Sequence, residues 1–228
     1  MARSSGKTAK ARQVRAHGEE SRQRILDAAA EIAGERGYDG TSIALVSERS
    51  GLPASSIYWH FQDKDRLLAA VIERSFARWL DGMSAWLRPR AEQSRLEHLR
   101  LGLRTTAKAL LDSPEFLRLG LMLALERRPA EASARTRFLE VRARTMERLV
   151  AAFAAQFPEL DARGAHSLAT LTMAAADGLF IAHELDPGLD LGAHFELVAA
   201  GLLATADELA RRAPRSGPST RSRKGRAE

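Results

Sequence analysis

The sequence predicts an all-α protein of about nine helices. Three observations carry this. Apolar residues recur at three- and four-residue spacing along most of the chain. No run alternates in the strand manner, and no internal repeat is present. Gly and Pro, at Gly37, Gly51, Pro89, Pro114, Pro129, Pro158, Pro187 and Pro214, cut the chain into pieces of helical length.

The first helix is predicted after Ser21, a candidate N-cap, with Ile25, Leu26, Ala29, Ile32 and Ala33 on one face. Gly37 closes it and Tyr38 packs back on it. Ser42 caps a second helix whose buried side is Leu45 and Val46, and Gly51 ends it. Pro53 sets the start of a third, where its missing N–H costs little. Ile57 and Phe61, four apart, share its core face, and Ser55, Ser56, Trp59 and His60 lie away from them. Asp63 caps a fourth helix carrying Leu67, Leu68, Val71, Ile72, Phe76, Trp79, Leu80 and Met83, ended by Arg88-Pro89. Leu96 to Leu110 gives a fifth, stopped by Ser113-Pro114, and Phe116 to Leu125 a sixth. Phe138 to Phe153 gives a seventh, Asp161 caps an eighth reaching Ala182, and Phe195 to Leu209 is the ninth.

The chain of 228 residues, 45% apolar, carries a net charge of +6. The charge is uneven: residues 1–20 hold +3 and residues 210–228 hold +6, which leaves −3 for residues 21–209. The high pI therefore comes from the ends. Residues 1–20 are expected to be a flexible basic arm and residues 213–228 a disordered basic tail. Without cysteine there are no disulfides, thiolate metal sites or cysteine nucleophiles. No apolar run approaching ~20 residues and no signal-peptide pattern is read, so a soluble protein of the cytoplasm is expected, with no membrane partner.

The stretch from Thr41 to Leu68 organises the rest. Two short helices joined by Gly51-Leu52-Pro53 have the form of a helix-turn-helix. Such corners also occur as plain core structure, which accounts for Tyr58 and Phe61. It does not account for Trp59 and His60, off the core face, or for Ser55-Ser56 at the head of a short helix. From Ser21 to Leu68 the residues resemble the tetracycline-repressor (TetR) family of bacterial transcription factors. The resemblance rests on Ile25-Leu26-Asp27-Ala28-Ala29, Gly37-Tyr38, Thr41-Ser42, Ser50-Gly51-Leu52, Ile57 to Phe61, and Lys64 with Leu67-Leu68. Ser47 and Ser50 stand where the family commonly has Ala, and Pro53 where it has a capping Ser or Thr.

The resemblance implies a DNA-binding head of three helices, expected over 21–66, followed by a larger, variable helical domain for ligand binding and dimerisation, expected over 67–212. It implies that Ser42 bonds a phosphate and that Tyr58, His60 and Lys64 clamp the DNA backbone. Ala54, Ser55, Ser56 and Trp59 would meet base edges or thymine methyls. Ser and Ala read permissively, so the operator sequence does not follow. The partners implied are a palindromic double-stranded operator, a second copy of the chain and a small effector. No cofactor and no metal are implied.

In the second domain, Trp79, Met83, Trp86, Met122, Phe138, Arg142, Met146, Met173 and Asp177 are candidates to line an effector pocket, with core filling as the competing role of each. Their apolar and Met-rich character points to a hydrophobic or aromatic effector. The small residues of the last two helices point to a four-helix dimer interface, for which Leu168, Leu171, Ala175, Leu179, Val198 and Leu202 are the candidates. The function expected is a repressor released when an effector favours a conformer with its fourth helix pivoted; an activator, or a regulator without effector, is the alternative. A ~100-fold loss of DNA affinity needs a coupling of about 2.7 kcal/mol. No P-loop, nucleophile elbow, His-Glu-x-x-His or dinucleotide fingerprint is present, which argues against an enzyme. His166, His183 and His194 are too irregularly spaced to suggest a metal site. A non-specific binder driven by the basic ends is the other rival.

Overall fold

The computed structural model describes residues 4–83, 93–125 and 133–212. Among these residues the chain forms nine helices and no strand: α1 (Ser4–Gly40), α2 (Ile43–Ser50), α3 (Ala54–Phe61), α4 (Lys64–Met83), α5 (Arg95–Asp112), α6 (Pro114–Leu125), α7 (Ser133–Gln156), α8 (Ala162–Leu185) and α9 (Leu191–Arg212). Three predicted caps are in place. Ser42 Oγ accepts from Leu45 N, Asp63 Oδ1 from Arg66 N at 2.7 Å, and Asp161 Oδ1 from Gly164 N at 2.8 Å. The start of α5 is a full capping box, Ser94 with Glu97, which the apolar spacing did not reveal.

One expectation is corrected at the N-terminus. The helix starts at Ser4, so Ser21 lies inside α1, and residues 4–20 are helical instead of a flexible arm. About half of them are Ala, Lys, Arg and Glu, which favour helix by propensity. They carry no apolar stripe, so periodicity could not show it. Within this stretch and just beyond it, Glu19 accepts from Gln23 one turn on, at 2.7 Å. At the other end α1 kinks at Gly37 (φ 69°, ψ −172°). The expected tail, 213–228, lies outside the described residues.

The core is continuous from head to body. Ile25, Leu26, Ala29, Ile32 and Ala33 of α1 are buried with Val46 of α2, Ile57 and Phe61 of α3, and Leu67, Leu68, Val71 and Ile72 of α4. α4 then packs against α5, α6 and α7, and α5 against α9. α4 is therefore the element shared by both domains.

The approach of α6 to α7 depends on Gly120. A Cβ there would overlap the buried ring of Phe138, itself packed on the Phe116 ring at 5.7 Å. Gly120→Ala is therefore expected to cost about 1–3 kcal/mol through forced displacement of that ring. A chemical-denaturation midpoint unchanged from the parent would show that the ring yields freely.

Candidate nucleic-acid interface and ligand cavity

The turn between α2 and α3 is built from local chemistry. Gly51 takes the left-handed conformation (φ 65°, ψ 23°) and its N–H reaches Glu48 O. Ser47 Oγ donates to Leu52 O at 2.7 Å, which gives the serine a role that Ala would lack. Pro53, extended at ψ 148°, supplies the carbonyl for Ser56 N at 2.9 Å but no side-chain cap. The head is pinned by Arg24, which donates to Ser50 O at 2.6 Å, and by Arg49 between Glu31 and Glu35.

Held by buried Ile57 and Phe61, α3 turns a face outward. Trp59 is 78% exposed and Tyr58 52% exposed, with Ser55 exposed and Ala54, Ser56 and His60 half-buried. The Trp59 indole meets the His60 ring edge-on at 4.6 Å. An exposed tryptophan beside small polar groups is costly for folding alone and suited to a groove floor. Burial, and then the nearby Arg22 charge, hold the His60 pKa below the ordinary histidine value, against the opposing influence of Glu19. His60 is therefore neutral near pH 7, with one ring N–H to donate.

Two predicted backbone contacts look different in three dimensions. Ser42 Oγ already accepts from Leu45 N, so toward DNA it has only its proton to donate. Lys64 turns inward: its Nζ donates to Tyr38 O at 3.1 Å and lies 4.5 Å from the Tyr38 ring centroid. It ties α4 to the end of α1. The sequence reading missed Arg22, whose guanidinium lies 5.3 Å from the Phe61 ring centroid beside His60. A cation one turn ahead of Ile25 and Leu26 was the available signal.

Between α3 and α4 the chain turns on a single residue. Gln62 has φ 66° and ψ −49°, and Asp63 N bonds to Phe61 O at 2.7 Å across it. This is a γ-turn of the positive-φ type, which is rare and strained. Gln62 is also the single non-glycine with positive φ among the described residues.

Three residues on, Asp65 joins head to body. Its carboxylate accepts from Tyr38 Oη at 3.0 Å, from Ser133 N at 2.8 Å and from Ala134 N at 3.3 Å, and also from Ser133 Oγ. It thus caps the N-terminus of α7 from another helix. Burial raises its pKa, but the Ser133 hydroxyl and amide, the Ala134 amide and the Tyr38 hydroxyl together outweigh burial and hold it below the ordinary value.

A cavity of about 50 Å³ lies in the body between α4, α5, α6, α7 and α8. Of the predicted pocket residues, Trp79, Arg142, Met173 and Asp177 line it. Arg142 and Asp177 form a two-pronged pair across α7 and α8, at 2.9 and 2.6 Å. Three candidates are corrected. Met122 is 44% exposed and sits where a Cβ on Gly37 would lie, away from the cavity. Phe138 is fully buried core between Gly120 and Phe116, and Met146 packs on the core without lining the cavity. The Met83 and Trp86 side chains lie outside the described residues. The sequence reading missed Thr106, Thr145 and Thr172, which line the cavity. Threonines inside apolar helical stripes were the signal.

The expected dimer set is also corrected. Leu168 and Leu202 are buried inside the chain and cannot meet a partner. Leu171 is exposed, and Ala175, Leu179 and Val198 are half-buried. The outward apolar stripe is instead Leu171, Ala174, Gly178, Ile181 and Leu185 on α8, with Leu197, Ala200, Gly201 and Ala204 on α9. Periodicity shows a helix with two apolar faces but not which one the chain itself covers. This stripe also explains why α8 is long and apolar enough, by length and composition, to cross a membrane, contrary to the sequence expectation that no run comes near that length. Among the described residues no group of three or more candidate metal ligands meets. Nδ1 of His183 lies 3.2 Å from Leu189 O and that of His194 2.8 Å from Asp190 O.

The pattern of the family described as "Bacterial regulatory proteins, tetR family" matches residues 25–71. The chain is 35% identical over 65 residues to the HTH-type transcriptional regulator AcrR of Shigella flexneri. That match covers 28% of this chain and 30% of the relative, so it spans less than a third of that relative's length. The fold resembles the fatty acid degradation regulator FadR of Bacillus halodurans, with TM-score 0.66, 19% identity, and coverage of 80% of this chain and 94% of that one. It also resembles FadR of Bacillus subtilis, solved in complex with stearoyl-CoA, with TM-score 0.65, 19% identity, and coverage of 80% and 98%.

Proposed function

We propose, from the premise that this chain belongs to the TetR family of bacterial regulatory proteins, that it is a DNA-binding transcriptional regulator. In this reading it is a repressor, working in the cytoplasm on the chromosome, that leaves a palindromic operator when a small hydrophobic or aromatic effector binds the body. The observation that carries the reading is α3: a short helix fixed from behind by Ile57 and Phe61 that turns Ser55, Tyr58 and Trp59 outward. Ser42, Tyr58 and His60 would hold phosphates, with Arg22 added to them and Lys64 shared between phosphate and Tyr38. Ala54, Ser55, Ser56 and Trp59 would meet the bases. The cavity lined by Trp79, Arg142, Met173 and Asp177 would receive the effector. At about 50 Å³ it is far too small for a long acyl chain unless the helices part.

A palindromic site needs two heads, and the exposed stripe of α8 and α9 supports a homodimer. Gly178 and Gly201 have nothing within 4 Å of a built Cβ, which leaves room for close approach of a second pair of helices. Leu171→Glu combined with Ile181→Glu is expected to convert the dimer to monomer in sedimentation velocity and to weaken operator binding by at least about 10-fold. The reading as a whole is tested by footprinting on DNA flanking the gene. Protection of two half-sites about one helical turn apart is expected. Uniform, sequence-independent protection would instead favour a binder driven by the basic ends.

A further inference from the structure

The cavity in the body states which chemistry it accepts. Its walls are largely apolar, and its polar groups are mostly already committed. Thr145 Oγ1 donates to Val141 O at 3.0 Å, Thr172 Oγ1 to Leu168 O at 2.8 Å and Thr106 Oγ1 to Gly102 O at 3.1 Å. Arg142 and Asp177 satisfy each other through two hydrogen bonds, and the Arg142 guanidinium also lies 5.6 Å from the Phe138 ring centroid. The Trp79 ring packs against Phe76 and Phe116, with centroids 5.9 and 6.4 Å away. Its Nε1 atom is shut off from solvent and has no acceptor. Among the buried side-chain atoms of the described lining residues, this indole N–H is the one left without a partner.

From this juxtaposition we infer that the effector is an uncharged, ring-sized apolar molecule bearing one acceptor oxygen, which takes the Trp79 Nε1–H bond. The inference rests on the reading of this cavity as the effector site. Each alternative charge state meets an obstacle in the walls. An anion aimed at Arg142 competes with the Asp177 carboxylate for the guanidinium and is repelled by that carboxylate beside it. A cation aimed at Asp177 meets the Arg142 charge in the same way. A neutral ligand leaves the pair intact. An acceptor on that ligand satisfies a buried donor that a hydrocarbon of the same shape would leave bare, and such a donor discriminates strongly between the two. At about 50 Å³ the cavity is smaller than a single ring, so the helices must part to admit even one, and any larger ligand needs a larger parting.

Four probes of matched size separate the possibilities: acetophenone, isopropylbenzene, benzoate and benzylamine. Binding to the full-length protein is measured by calorimetry and by the indole N–H resonances of the 15N-labelled chain. The Trp79 resonance is assigned by its absence in Trp79→Phe or, should that variant not fold, by elimination with Trp59→Phe and Trp86→Phe. Acetophenone is expected to bind at least tenfold tighter than each of the other three and to move the Trp79 resonance downfield. In Trp79→Phe its advantage over isopropylbenzene should vanish. Benzoate or benzylamine as the tightest ligand, equal binding of acetophenone and isopropylbenzene, or no binding by any of the four would each overturn the assignment. Operator binding is followed in parallel. Acetophenone moving the Trp79 resonance without releasing DNA leaves the ligand class standing and fails the regulator reading. Benzoate binding tightest and releasing DNA does the reverse.

Discussion

Trp59→Ala is expected to weaken specific operator binding by roughly 10–100-fold while leaving folding stability within about 0.5 kcal/mol. The two halves of this expectation come from one fact: the side chain is 78% exposed and its recorded partner is the neighbouring His60 ring. Removing it takes nothing from the core, because Ile57 and Phe61 carry the buried face of α3. Fluorescence anisotropy at fixed salt is the appropriate measurement, since phosphate contacts make affinity strongly salt-dependent. Lys64→Ala makes an instructive contrast. Because Lys64 also donates to Tyr38 O, that variant should lose stability as well as affinity. The decisive comparison is with a chain lacking residues 1–20 and 210–228. If that chain loses sequence-specific binding while Trp59→Ala binds like the parent, α3 is not the reading element.

Asp65→Ala is expected to cost about 2–3 kcal/mol, since it removes the cap of α7 and the acceptor of the Tyr38 hydroxyl together. Asp65→Asn, which keeps one acceptor oxygen but not the charge, should fall between. The loss has a pH signature. The folded carboxyl titrates below its ordinary value of 3.8, so its contribution is present above that value. That contribution is fully expressed above about pH 5 and drains away as the pH falls through 3.8 and the lower folded value. Acid titration of stability should therefore be steeper for the parent than for Asp65→Ala. Parallel curves would show that the carboxylate adds nothing beyond its neighbours. The same variant should blunt the effect of an effector on DNA binding, because α7 carries Arg142 at the cavity and ends on Asp65 at the head.

The helices were legible because burial writes a period of 3.6 into the sequence, and the caps because Ser42, Asp63 and Asp161 stand where free N–H groups begin. The outward face of α3 was legible by subtraction, since Trp59 and His60 cannot share the side of Ile57. What periodicity conceals is which apolar face a neighbour covers. Leu168 and Leu171 look alike in sequence, yet one is core and the other faces outward. It is equally blind to a helix without an apolar stripe, hence the unexpected start of α1 at Ser4. Long-range polar partners such as Asp65 with Ser133, 68 residues apart, leave no local mark. Arg142 with Asp177 was visible only as two charges among apolar neighbours.

In the proposed regulator, the one-residue joint at Gln62 would bear on how distance along DNA is measured. Two helices connected by a loose linker would let each head settle independently, and operators of several spacings would serve. A tight bend closed by the Asp63 N to Phe61 O bond leaves little slack between α3 and α4. A tilt of α4 would then reach α3 instead of being absorbed on the way. In such a machine the joint would be a gauge: its stiffness would set how finely a shift of one base pair between half-sites is noticed.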